Sequence, residues 1–211
     1  AERFAAPLHA LVEVPRDVDD DGAVFTDVVS RAIHAAQQSR ADARAMPTIV
    51  GDNALALLAA QVMYGVSPRV RVIGWHERTL ALCERWGVKH RLATEAGLRA
   101  DQTVVVECSG TADGLYVAAS MARPRGRIVL AAPARPDESR ARLAEALELA
   151  HERELELVGS RGGSAPEAMS LLQRGGVDVV SLISRRMKFN DAPEALRAAA
   201  EPGSIRILLE M

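Results

Sequence analysis

From Thr48 onward, short continuous apolar runs alternate with longer amphipathic ones. "TIVG" precedes "ALALLAAQVMYG", "VRVIG" precedes "ERTLALCERWG", and "TVVVECSG" precedes "ADGLYVAASMARP". "GRIVLAAP" then precedes "ESRARLAEALELAHE", and "LELVGS" precedes "APEAMSLLQRGG". The apolar runs predict strands covered on both faces, since neither face needs polar residues for water. The longer segments predict helices, with Gly65, Gly87 and Gly175 at their expected ends. Strand–helix alternation of this kind predicts crossover connections, hence an α/β fold with a doubly wound parallel sheet over residues 48–182.

Two flanking regions fall outside the alternation. Residues 1–47 hold an extended apolar start, the acidic stretch "DVDDDG" and a helix, "VFTDVVSRAIHAAQQSRA". The run Asp17–Asp21 reads as a solvated loop, as most charge runs do. Residues 183–211 predict a short strand, a helix capped by Asn190 or Asp191, and a final strand, "SIRILLE".

Composition narrows the function classes. The 211 residues are 48% hydrophobic and 26% charged, with a net charge of −2. No strong field is present to recruit nucleic acid or an anionic membrane, and 3% aromatics offer little for base stacking. No apolar run reaches the ~18 residues of a membrane span. Cys83 and Cys108 form no metal-type or disulfide framework and read as free thiols in a reducing cytoplasm.

The stretch "TIVGDNALALLAAQVMYGVSPRVRVIGWHE", Thr48 to Glu77, has the strand–turn–helix–strand order of a dinucleotide-binding unit. The fingerprint Gly-x-Gly-x-x-Gly is only partly present. Gly51 keeps the turn. Asn53 replaces the glycine that lets backbone approach the pyrophosphate, and its tolerance of left-handed backbone would preserve the turn. Ala56 replaces the third glycine mildly. The start of the helix at Ala54 offers free N–H groups to an anion. Gly74 stands where an acid for the ribose hydroxyls is expected, Trp75 where a 2′-phosphate site would want Arg, and His76 follows. Cys108, Ser109 and Gly110 would lie along the ribose–nicotinamide arm of a bound cofactor. NAD or NADP binding is expected to be weak.

In order, "AERFAAPLHALVEVPRDVDDDGAVFTD", "IVGDNALALLAAQV", "VVVECSGT", "GRIVLAAP", "LELVGSRGG" and "LISRRMKFNDAPEALRAAAEPGSIRILLEM" resemble segments of the zinc-dependent alcohol dehydrogenase branch of the medium-chain dehydrogenase/reductase superfamily. The resemblance implies a Rossmann-like sheet ordered 3-2-1-4-5-6. It also implies that residues 1–47 and 183–211 are remnants of a GroES-like catalytic domain. That domain carries the family's zinc ligands, so no zinc is expected on this stretch. Asp27 falls where relatives place a Glu that approaches the metal, but one carboxylate cannot hold a catalytic zinc. The leading expectation is therefore a dehydrogenase-derived binding or structural subunit, inactive alone. The alternative is an NAD(P)-dependent oxidoreductase whose catalytic half comes from a partner chain, or which works without zinc. A fragment of a longer product is also compatible. The resemblance further implies a homo-oligomer through the edge strand Leu155–Ser160, or a partner chain on the exposed cleft.

Overall fold

The computed structural model describes residues 5–135 and 139–210. Six strands form one sheet: β1 (Thr48–Val50), β2 (Arg71–Gly74), β3 (Lys89–Leu92), β4 (Gln102–Glu107), β5 (Ala122–Leu130) and β6 (Glu156–Gly159). Their order is β3-β2-β1-β4-β5-β6, and every neighbouring pair is parallel. The chain leaves β1 toward β2 on one side and later returns to β4 on the other. That reversal opens a crevice beyond the carboxyl ends of β1 and β4.

The continuous apolar runs follow from burial on both faces. Ile49, Val72, Val106 and Val129 enter one core. Their immediate neighbours Val50, Ile73, Val105 and Ile128 enter the other, as a period of two requires. The first core is closed by α2 (Thr26–Ser39), α3 (Ala54–Tyr64) and α8 (Ala165–Gln173), which supply Val29, Leu57, Leu58 and Leu171. The second is closed by α6 (Ala112–Met121), with Leu149 of α7 (Arg140–Glu152) packed against it.

Several expectations need correction. β3 does not stand out in the sequence, because "KHRL" is a polar edge strand whose residues are alternately exposed. "ERTLALCERWG" forms not one helix but two short ones, α4 (Glu77–Leu80) and α5 (Leu82–Arg85). Gly65, Gly87 and Gly175 do stand at helix ends, the last two left-handed and Gly65 right-handed. The acidic run is not merely a solvated loop. Asp19 caps α1 (Asp20–Ala23) through the Gly22 N–H at 2.7 Å. Asp21 pairs with the Arg186 guanidinium, Nη1 to Oδ1 at 2.6 Å, which holds its carboxyl below the usual carboxylate range. This contact ties the N-terminal flank to β7 (Ile183–Lys188), which pairs in parallel with β8 (Arg206–Glu210) in a separate small sheet. Between them lies α9 (Ala192–Ala199); Asp191 precedes it but makes no side-chain capping bond.

The loop after β6 presses on α2. A Cβ built at Gly163 would overlap the Ser30 carbonyl, whereas one at Gly162 meets nothing within 4 Å. Gly163→Ala should therefore cost about 1–3 kcal/mol as an overpacking change. Gly162→Ala should stay within about 0.5 kcal/mol of the original protein. Urea unfolding of both variants checks the difference.

Candidate functional site

The site is built from the turn that leaves β1. Gly51 has φ of +128° and donates its N–H to the Ile73 carbonyl at 2.8 Å. A Cβ there would stand 3.1 Å from Ser109 N and 3.2 Å from the Cys108 carbonyl carbon. Glycine is thus required both by the backbone angle and by the close approach of the β4 end. The same Cβ would lie 3.4 Å from that of Ala56, an ordinary contact that explains why alanine serves as the third small residue.

Asn53 differs from expectation. Its φ is −84° and ψ 176°, so the turn needs no left-handed asparagine. It is the N-cap of α3: Oδ1 accepts the Ala56 N–H at 3.0 Å, while Nδ2 donates to the Cys108 carbonyl at 2.7 Å. The carboxamide thus satisfies one of the helix's unpaired donors and binds the turn to the end of β4. The N–H groups of Ala54 and Leu55 donate to no partner among the described residues.

At the end of β2 the position expected to carry an acid is filled from elsewhere. The Asp52 carboxylate reaches across from the first turn. Its Oδ2 accepts the N–H groups of Trp75 and His76, both at 2.7 Å, and lies 3.0 Å from His76 Nδ1. A Cβ on Gly74 would stand 2.7 Å from Asp52 Cβ and 2.8 Å from its Oδ2. Gly74 is small because Asp52 occupies the space, and a second acid at 74 would collide with it. Trp75 packs its half-buried ring against the second core. Arg78 runs toward the C-terminal segment, where its Cδ lies 4.0 Å from the Cβ position of Gly203.

The end of β4 is organised by buried Glu107. Its carboxylate accepts the Ser109 N–H at 2.6 Å, the Gly110 N–H at 3.1 Å and the Ser109 hydroxyl. Ser109 Oγ also lies 2.9 Å from the Thr111 hydroxyl, so this serine is spent on the turn. Gly110 has φ of +68°, and a Cβ there would overlap the Pro133 carbonyl. Cys108 is fully buried, and desolvation with help from Glu107 holds its thiol well above the ordinary range. Burial likewise pushes Cys83 up to about 12, so neither sulfur is a thiolate near neutral pH.

These pieces line one crevice of about 290 Å³: Asp52, Asn53, Trp75, His76, Ser109, Thr111, Asp113 and Arg135. The sequence singled out Asn53, Trp75, His76 and Ser109, and the fold brings those four together. Asp52, Thr111, Asp113 and Arg135 were missed, since no local motif marks them. Thr111 left one trace, a hydroxyl at the start of α6 whose Oγ1 accepts the Gly114 N–H at 2.9 Å. A larger cavity of about 910 Å³ lies at the ends of β5 and β6, bounded by Asp27, Arg31, Ala131, Ala132, Ser160 and Arg161. Asp27 faces it from the first turn of α2, beside Arg31, whose Nη2 donates to the Ala131 carbonyl at 3.2 Å. Among the described residues, no group of three or more His, Cys, Asp or Glu side chains is placed to hold a metal ion.

No family model matches the chain. It is 32% identical over 153 residues to a curated protein of Rhizobium meliloti (strain 1021) named "Putative D-xylulose reductase". That match covers 68% of this chain and 41% of the relative, so the chain spans about two fifths of the relative's length. Solved structures agree in fold. A "putative zinc-binding dehydrogenase" from Sinorhizobium meliloti 1021, bound to NADP, superposes with a TM-score of 0.83 at 20% identity. The superposition covers 95% of this chain and 62% of that one. L-idonate 5-dehydrogenase from Escherichia coli K-12 gives 0.79 at 22% identity, over 95% and 60%. An alcohol dehydrogenase from E. coli CFT073 complexed with NADH gives 0.78 at 18%, over 98% and 64%.

The Asn53 carboxamide makes two bonds at a partly buried position. Asn53→Ala should destabilise the chain by about 1–2 kcal/mol, combining loss of the cap with an unpaired Cys108 carbonyl. Asn53→Asp keeps the cap but sets a carboxylate oxygen against the Cys108 carbonyl and should lose at least as much. Chemical denaturation of the two variants reads the difference.

Proposed function

Because this chain belongs to the zinc-dependent alcohol dehydrogenase-like proteins of the medium-chain dehydrogenase/reductase superfamily, we propose that it forms the dinucleotide-binding half of an oxidoreductase and catalyses no hydride transfer alone. The observation that carries the reading is the crevice at the β1–β4 reversal. Asn53 lines it, and among the described residues the next two N–H groups, of Ala54 and Leu55 at the positive end of α3, have no partner. Those groups suit a diphosphate. The Trp75 ring lies along the same crevice, beside the strand end where adenosine belongs. When bound, a nicotinamide nucleotide would supply the hydride acceptor or donor; the chain's own residues bind and orient it.

Binding is proposed to be weak. Asn53 already accepts the Ala56 N–H, so an anion meets two free donors at this helix start rather than three. A zinc that polarises an alcohol or carbonyl oxygen needs about three protein ligands. We assign that step to a separate catalytic half, with the cavity beside Asp27, Arg31 and Arg161 as the place where it would meet this one. The observation favouring this second element is the cavity's position, at the ends of β5 and β6 next to the crevice.

Calorimetric titration with NAD and with NADP tests the reading. The expected Kd lies between about 10 µM and about 1 mM, well short of tight binding. Absence of any heat at millimolar nucleotide removes the reading. The chain alone should show no turnover of alcohols with either nucleotide.

We also propose self-association through β6. It is the last strand of the sheet, and among the described residues no strand lies beside its outer backbone groups. Leu157 on β6 and Leu143 and Leu147 on α7 are exposed. A second copy continuing the sheet would satisfy the backbone and cover those side chains. Sedimentation at micromolar concentration should find a dimer, and Leu157→Glu should give monomers. A monomeric original protein overturns this.

A further inference from the structure

Gly74 and Asp52 occupy one volume from opposite directions. The carboxylate that dinucleotide folds normally grow from the end of their second strand binds the adenosine ribose hydroxyls. Here no side chain grows from that point, and Asp52 lies across it: Cβ, Cγ and Oδ2 all fall within 2.7–2.9 Å of where a Cβ on Gly74 would sit. We propose that Asp52 supplies the ribose-binding carboxylate from the first turn, and that it selects NAD over NADP. The assignment rests on the dinucleotide reading above.

Three observations carry it. First, the carboxylate is fixed. Oδ2 is held by two backbone N–H groups and the His76 ring, so little conformational freedom remains to be lost when a ligand arrives. Second, it retains acceptor capacity. Oδ1 takes no hydrogen bond from a described residue, and the side chain lines the crevice beside Trp75 and His76. A vicinal diol can donate to it. Third, the surroundings do not welcome a 2′-phosphate. That group would bring about −1.5 to −2 charge against an anchored carboxylate. Trp75 stands where a phosphate-binding Arg would be useful, and Arg78 is directed toward Gly203. Arg135 reaches the crevice from the loop after β5. That loop follows β5, three strands away from β2 in the sheet. Like-charge exclusion of one ligand is a sound source of preference between two otherwise similar ones.

The test compares the original chain with Asp52→Asn, Asp52→Ala and the exchange Asp52→Gly/Gly74→Asp, in which glycine at 52 also removes the Cβ that stands 2.7 Å from a Cβ at 74. NAD and NADP are titrated separately by calorimetry, and melting curves report folding. The original chain should favour NAD. Asp52→Asn and Asp52→Ala should weaken NAD by about tenfold or more, the scale of a hydrogen bond to a charged group, and NADP much less, so the preference collapses or inverts. The exchange, which returns the acid to the strand once its space is vacated, should restore preference for NAD. Asp52→Asn preserves volume and keeps the comparison available if Asp52→Ala melts early. Nucleotide binding whose NAD-to-NADP ratio survives both single substitutions overturns the assignment of Asp52 alone. Binding of neither nucleotide by the original chain overturns the dinucleotide reading, and this assignment with it.

Discussion

Three parallel strand ends are held together by two consecutive side chains of a single turn. Asp52 reaches to the end of β2 and takes the Trp75 and His76 N–H groups. Asn53 reaches the other way and gives its amide to the Cys108 carbonyl at the end of β4. Between them Gly51 ties back to Ile73. Strand ends in a parallel sheet carry backbone groups that no ladder satisfies, and buried groups of that kind cost free energy if left unpaired. The turn supplies the partners, so the crevice walls are set before any ligand arrives.

The sheet was legible in the sequence wherever both faces are covered. Val72-Ile73, Val105-Val106 and Ile128-Val129 send adjacent residues into opposite cores, and nothing polar can interrupt such a run. β3 was illegible for the converse reason. At the edge, Lys89 and Arg91 can face water, and their charge discourages edge pairing. The turn was half legible. Gly51 and Ala56 read as turn and packing residues because their roles are steric and local. Asn53 was read as a residue that tolerates a left-handed turn, since its capping geometry depends on where the Cys108 carbonyl lies. Gly74 was read as a missing acid. Its real constraint comes from Asp52, 22 positions earlier, and becomes visible only once β1 and β2 are in register, Val50 opposite Ile73.

The end of β4 shows how a glycine-rich turn can be fixed without a ligand. Glu107 is buried, yet hydrogen bonds from Ser109 and Gly110 converge on its carboxylate. A buried carboxylate is tolerable only when so surrounded. Its presence also dictates Gly114, where a Cβ would overlap the Ser109 hydroxyl and stand 2.8 Å from Glu107 Oε1. Ser109 and Cys108 are therefore committed to structure. What remains for recognition is the backbone and the residues that line the crevice.

That commitment has an energetic consequence for the first turn. A helix N-terminus binds anions through donors that are otherwise unpaired. Asn53 pairs one of them, which stabilises the empty turn and removes a bond that an anion would otherwise gain. A hydrogen bond to a charged group is worth about 1.5–3 kcal/mol, so the loss corresponds to about ten- to hundredfold in affinity. The fixed position of Asp52 offsets part of this, because an acceptor already held in place loses little freedom on binding. The two residues cannot be judged separately from their partners. Replacing Asn53 frees a helix donor but also strands the Cys108 carbonyl, and building an acid onto Gly74 is possible only after Asp52 has left the space. The turn is a coupled arrangement in which the features that depart from the fingerprint compensate one another.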